Sequence, residues 1–161
     1  MGGLFACSPV CTEEGYMPWY TLPMRMSTER IPAVLFFLIW GITLFHLAAE
    51  QYYWYWQYRW LDIPMHFLGG VWLGLAGIWV IYHIEWFKNI RDRTTPLLAA
   101  LLAGLVIGIL WEGYEFVVWQ LAGNGLPIGY WEDTAKDIVI DIIGAYCGYL
   151  LYRCCFTASR T

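Results

Sequence analysis

The sequence predicts an all-α polytopic membrane protein, a bundle of four transmembrane helices with both termini in the cytoplasm. Hydrophobic residues make up 60% of the 161 residues and charged residues only 14%, whereas soluble domains carry about 25% charged residues. The apolar residues form four continuous runs, each near the roughly 20 residues that cross a bilayer. These runs lack the alternation of a transmembrane β-strand. A helical bundle in the lipid bilayer is therefore expected.

The four runs divide the chain into spans and loops. We predict spans at Ile31–Ala49, Leu61–Ile84, Pro96–Ala122 and Lys136–Tyr152. The predicted organisation is an N-terminal cytoplasmic tail at residues 1–30, a transmembrane domain at residues 31–152 and a C-terminal cytoplasmic tail at residues 153–161. At this length we expect one compact bundle and no separate soluble domain.

The orientation follows from the basic residues near the span ends. Seven lie on the side of the two termini and the middle loop, namely Arg25, Arg30, Lys88, Arg91, Arg93, Arg153 and Arg160. Only Arg59 and Lys136 lie on the other side. Because cytoplasmic loops carry the excess of Lys and Arg, both termini are predicted to be cytoplasmic.

Partners other than lipid are limited by charge and composition. The formal charge of −4 argues against nucleic acid, which requires a basic surface. The first outer loop, residues 51–60, is rich in Tyr and Trp. These aromatic residues suit the membrane interface, and a platform for stacking sugars is the less favoured alternative.

Ionisable residues and glycines share one face on each of three predicted spans. In the third span Gly104, Gly108, Glu112 and Glu115 are separated by four, four and three residues, which aligns them on an α-helix. The second span has Asp62, His66, Gly70, Gly74 and Gly77, and the fourth has Asp137, Asp141, Gly144 and Gly148. Small residues let transmembrane helices approach closely. The three faces are therefore expected to meet.

The acidic ends of these faces predict an intramembrane site near the outer surface. Ionisable groups at this depth are costly and usually functional. Carboxylate oxygens and histidine nitrogens suit a divalent metal ion, although the sequence does not identify which one. Asp62, His66, Glu112 and Asp141 are the predicted ligands, with His66 also the candidate general base. Glu115, Asp137, His46, Glu50 and Asp133 are expected to surround them.

The same motifs resemble a known family. The segments Asp62-Ile-Pro-Met-His66, Trp111-Glu112-Gly-Tyr-Glu115 and Asp137 through Gly144 are similar to those of YjdF-like bacterial inner-membrane proteins. Their order also resembles that of VanZ-like membrane proteins. The resemblance implies a multi-span fold and a role in the cell envelope, without a reaction. YjdF-like proteins usually carry more spans before the Asp-His motif, so a homo-oligomer is expected to supply the missing packing.

Three functional classes follow from the cluster. The first is a metal-dependent enzyme that acts on a lipid or lipid-linked headgroup from the outer face. The second is a proton or cation carrier that uses the acids as a relay, although no comparable polar string continues through the inner half. The third is a scaffold whose hydrogen-bonded cluster fixes helix packing. The excess of acids over donors argues against this third class.

Overall fold

Four long helices dominate the structure, a computed structural model that describes residues 28–123 and 125–156. The long helices are α1 (Ile31–Gln51), α3 (Asp62–His83), α5 (Pro96–Leu121) and α6 (Tyr130–Leu151). Two single-turn helices, α2 (Trp54–Gln57) and α4 (Lys88–Arg91), lie in the connections, and these described residues contain no strand. All four long helices are long and apolar enough to cross a membrane. The prediction of an all-α fold with four membrane-spanning helices is confirmed.

The predicted tails fall largely beyond these ranges. Residues 1–27 and 157–161, together with Asn124 in the third loop, lie outside the described residues. A 3-10 turn at Thr28–Arg30 leads into α1. At the other end the helical backbone continues through a π-helical turn at Tyr152–Phe156. The Phe156 side chain is buried, so the packed bundle extends past the predicted boundary at residue 152.

Local sequence explains where two of the helices begin. Pro96 opens α5, where its missing N–H is not needed. The Thr95 hydroxyl accepts a hydrogen bond from the Leu98 N–H at 3.2 Å and caps the same helix. Gly129, with φ +82°, turns the chain into α6. As a result α6 begins at Tyr130, before the predicted start at Lys136.

Helices α3 and α6 are in backbone contact through their glycines. A Cβ atom added to Gly70 would collide with the Asp141 backbone, and one added to Gly144 would collide with the Phe67 carbonyl. Similar collisions with the opposite backbone occur at Gly74 and Gly148. The glycine stripes of the sequence therefore bring these two helices together.

Helix α5 closes the unit by packing on both α3 and α6. Gly108 faces the Asp141 side chain, and Gly104 faces Ala145. Toward the other end, Ile78 of α3 is buried with Ala99 and Ala100 of α5. Small residues thus set the spacing of all three helices, and we call α3, α5 and α6 the three-helix unit.

Helix α1 lies at the periphery and contacts mainly α3. Its buried residues Ile31 and Leu35 pack with Leu75 and Phe156. The Trp72 indole N–H donates a hydrogen bond to the Leu35 carbonyl at 2.8 Å. Most of the other large apolar side chains of α1 are exposed, as suits a helix surrounded by lipid.

Candidate functional site

The acidic ends of the three-helix unit converge on one buried cluster. His66 is 9% exposed, Glu112 6%, Asp137 3% and Asp141 4%. They come from α3, α5 and α6, as the aligned stripes of the sequence predict. Three acids this deeply buried require compensation by hydrogen bonds, protons or a cation.

His66 lies between two carboxylates. Its Nδ1 is 3.3 Å from Asp141 Oδ1, across the interface between α3 and α6. Its Nε2 is 3.6 Å from Asp62 Oδ1, one turn earlier on α3. A histidine held through one ring nitrogen by a carboxylate presents the other nitrogen in a fixed direction, as in many metal sites.

Three side chains lie close enough to share one ion. One ligand atom from each of Asp62, His66 and Asp137 lies within 4.8 Å of the other two. Asp137 Oδ1 is buried and has no hydrogen-bond partner among the described residues. Lys136 Nζ forms an ion pair with this oxygen at 3.4 Å, without a hydrogen bond. The Asp137 oxygen is therefore only partly compensated.

Glu112 provides a second buried carboxylate oxygen in the cluster. Within the described part of the chain its Oε1 accepts no hydrogen bond. The Tyr130 hydroxyl donates instead to the Glu112 backbone carbonyl, at 3.4 Å. Asp141 fits beside α5 because Gly108, one turn before Glu112, has no side chain. The Glu112 carboxyl is consequently available to a cation or a ligand.

A cleft of about 380 Å³ opens over the cluster. Its lining includes Asp62, Glu112 and Asp137, and it also contains two basic residues, Arg59 and Lys136. Lys136 pairs with Asp133 at 2.5 Å. Residues 127–129 of the last loop form part of the rim. The cluster is thus accessible from one end of the bundle.

Two further predicted residues lie on this cleft without being deeply buried. Glu115 lines it and accepts a hydrogen bond from the Trp111 indole at 3.0 Å. Asp133 also lines it, but it is exposed and held by Lys136. Neither belongs to the group of three potential ligands among the described residues.

The two predicted residues of α1 lie apart from the cluster. Glu50 is exposed, and neither Glu50 nor His46 lines the cleft. His46 is instead hydrogen-bonded through Nδ1 to the Tyr55 hydroxyl at 2.9 Å. Their separation from the cluster follows from the peripheral position of α1.

Tyr55 is a residue that the sequence did not single out. It lies in α2, in the connection between α1 and α3. Burial raises its pKa to about 12, with a further contribution from the negative charges of Asp62, Glu50 and Glu115. The phenol is therefore neutral at physiological pH, and its hydroxyl pairs with His46. Its sequence signal is hidden, because six other aromatic residues surround it in the same loop.

A second cavity adjoins the first and is almost entirely apolar. This groove, of about 240 Å³, lies between α5 and α6. Its lining residues are Ile109, Glu112, Gly113, Phe116, Tyr130, Trp131, Thr134 and Ile138. Glu112, Tyr130 and Thr134 also line the polar cleft. The polar and apolar spaces are thus neighbours that share one wall.

A family comparison agrees with this architecture. The model of the family described as "Predicted membrane protein (DUF2238)" matches residues 18–158. The chain belongs to DUF2238. Membership in DUF2238 confirms a membrane protein and gives no reaction. Neither the curated proteins nor the solved structures gave a match.

Proposed function

We propose that the protein binds a divalent cation in the polar cleft and uses it to act on the headgroup of a lipid or lipid-linked molecule. The observation that carries this proposal is the grouping of Asp62, His66 and Asp137 within 4.8 Å. A bound cation would act there as a Lewis acid and lower the pKa of a coordinated water. The apolar spans and the open cleft favour a substrate delivered from the bilayer.

The residues present suit such an ion. The buried oxygens of Glu112 and Asp137 that accept no hydrogen bond leave negative charge that Lys136 neutralises only in part and that a cation would neutralise. One imidazole and several carboxylates form a mixed nitrogen and oxygen set, which binds Mn²⁺, Fe²⁺ or Zn²⁺. The donor set thus supports a metal ion on chemical grounds.

The distances favour a particular division of roles. Asp62, His66 and Asp137 act as ligands on the distances between them. Glu112 is the further candidate ligand because its buried Oε1 accepts no hydrogen bond and the residue lines the same cleft. The Asp141 carboxylate contacts Nδ1 of His66 and orients the ring, which leaves Nε2 for the ion. The sequence predicts Asp141 as a ligand and Asp137 as a surrounding residue. The proposed roles of these two residues are the reverse. His66 is then held as a ligand, and the role of general base passes to a carboxylate such as Glu115 on the cleft.

The carrier alternative receives less support from the packing. A conducted ion would need polar groups or water through the rest of the membrane. Beyond the cluster, α3 and α6 instead touch through Gly74 and Gly148. The described interface between these helices therefore favours a site open at one end over a path through the bundle.

A metal titration tests the proposal directly. Full-length protein purified in detergent and stripped with a chelator is titrated with Mn²⁺ by calorimetry. We expect Asp137→Asn and Glu112→Gln to weaken binding at least about tenfold, because each removes a charged ligand. Asp133→Asn is the matched control, since Asp133 is on the same helix but outside the group of ligands. Equal affinities of Asp137→Asn and Asp133→Asn would overturn the proposal.

The proposed orientation places this cleft on the outer side of the membrane, with tails 1–30 and 153–161 in the cytoplasm. It rests on the excess of basic residues near the opposite ends of the spans. Single cysteines at Arg59 and Lys88, in a chain without its five native cysteines, provide the test in intact cells. We expect an impermeant thiol reagent to label Arg59→Cys only. Labelling of Lys88→Cys alone would reverse the orientation.

The finer assignments of family and location belong with this proposal. The resemblance of the Asp62 to Gly144 motifs to YjdF-like and VanZ-like proteins favours the bacterial inner membrane and a role in the cell envelope. A homo-oligomer remains an expectation from the sequence, and the exposed face of α1 is compatible with one.

A further inference from the structure

We infer that the ligand is a phosphate-bearing membrane lipid, with its phosphate in the polar cleft and a hydrocarbon chain in the groove between α5 and α6. This inference rests on the proposed function, because the divalent cation would hold the phosphate in the cleft. It adds the substrate class and a second binding surface. Three observations carry it: the wall shared by the two cavities, the charges that line the cleft and the position of the groove along α5 and α6.

The shared wall makes the two cavities suitable for one amphiphilic molecule. Glu112 and Tyr130 line both spaces. On the groove side the neighbours are apolar, including Ile109, Phe116 and Ile138. A molecule with a polar head and an apolar chain would fill both spaces without placing either part in the wrong environment.

The charges of the cleft admit a phosphate only together with a cation. Acidic side chains outnumber the two basic ones in the lining, so an anion alone would be repelled. Lys136 is already engaged by Asp133 and Asp137. Arg59 is exposed and has no ion pair among the described residues. Its guanidinium is the group free to hold phosphate oxygens in two hydrogen bonds.

The position of the groove favours a lipid chain over a protein partner. The groove lies along α5 and α6, the segments long and apolar enough to be within the bilayer. Its wall includes Trp131, which is exposed. Since these segments are apolar enough to cross a bilayer, a lipid chain would enter the groove from the bilayer without leaving an apolar environment.

Gly113 offers a way to close the groove without disturbing the fold. It lines the groove, and a Cβ atom added there has no neighbour within 4 Å. Gly113→Leu would therefore project into the groove space. Gly41 on α1 has the same open surroundings but lies outside the groove, so Gly41→Leu is the matched control. For the headgroup, Arg59→Gln is paired with Arg93→Gln in the opposite loop.

The experiment measures lipid binding by native mass spectrometry of the full-length protein in detergent with Mn²⁺. The probes are dioleoyl phosphatidic acid and dioleoylglycerol, which differ in the phosphate. We expect phosphatidic acid to bind at least about tenfold more tightly than dioleoylglycerol, and to lose at least about fivefold in affinity in Gly113→Leu and in Arg59→Gln. Gly41→Leu and Arg93→Gln should bind as the unaltered protein does. Farnesyl phosphate as a third probe shows whether a glycerolipid or a single-chain phosphate is preferred.

Mn²⁺ affinity, measured on the same variants, separates the two proposals. If Mn²⁺ binds normally but phosphatidic acid binds no better than dioleoylglycerol, or Gly113→Leu has no effect, the lipid inference is wrong and the metal proposal stands. If Mn²⁺ does not bind to the unaltered protein, the metal proposal fails, regardless of which lipid binds. Retained Mn²⁺ affinity in Gly113→Leu and Arg59→Gln also shows that both variants are folded.

Discussion

Helix α3 packs on α6 and on α1 in different ways. Against α6 it presents glycines, and the two backbones touch at Gly70 and Gly144. Against α1 it presents large side chains, including Trp72 and Leu75. The first interface holds the buried acids at one end, whereas the second carries none of them. The contrast indicates that the three-helix unit holds the site and that α1 is attached to its outside.

The largest expected effect comes from filling the close interface. Gly70→Leu should lower the free energy of unfolding by at least about 3 kcal/mol, the upper part of the range for overpacking, because its side chain meets the Asp141 backbone. Reversible unfolding of the purified protein in mixed detergent measures the change.

Gly69 provides the control for this variant. It is the preceding residue on α3, and a Cβ atom added there has no neighbour within 4 Å. Gly69→Leu should therefore unfold like the unaltered protein. If Gly70→Leu were as stable as Gly69→Leu, the two helices would not be in backbone contact and the comparison would fail.

The regular spacing of residues explains how much of this unit the sequence could predict. Glycines and acids three or four positions apart must share one helix face, so the meeting of α3, α5 and α6 near His66 and Glu112 follows from the pattern alone. Four helices and their approximate spans follow from hydropathy in the same way. These parts depend on local repeats, which the sequence shows directly.

Other parts depend on the rotation and translation of one helix relative to another. Asp137 and Asp141 lie on the same stripe, and only the position of α6 against His66 decides which carboxylate meets Nδ1. Likewise, His46 and Glu50 have suitable depth, but the peripheral position of α1 leaves them away from the cleft. The hydrogen bond between Tyr55 and His46 depends on the fold of the connection between α1 and α3. Spacing along the chain does not encode these tertiary contacts.

The second prediction links the site to the stability of the unit that holds it. Mn²⁺ at about 100 times its dissociation constant should raise the free energy of unfolding by about 2.7 kcal/mol, since it binds only the folded arrangement. The gain should decrease as pH falls, because carboxylates and imidazole must lose their protons to bind metal. Thermal unfolding with and without Mn²⁺, near pH 8 and near pH 5 (about three units apart), measures both effects.

A matched pair again provides the control. Asp137→Asn should lose most of the stabilisation by Mn²⁺, whereas exposed Asp133→Asn should retain it. Stabilisation that is equal at both pH values and in both variants would mean that Mn²⁺ acts elsewhere on the protein.

The smallest effect is expected where α1 joins the unit. Trp72→Phe removes the hydrogen bond to the Leu35 carbonyl but keeps an aromatic ring against α1, so we expect a loss of about 1 kcal/mol in unfolding free energy. Trp86→Phe is the control, because Trp86 is 94% exposed. Since α1 supplies none of the proposed ligands, Mn²⁺ affinity should be unchanged in both variants. A marked loss of Mn²⁺ affinity in Trp72→Phe, without unfolding, would show that α1 helps to hold the site, and the division between the two regions would have to be abandoned.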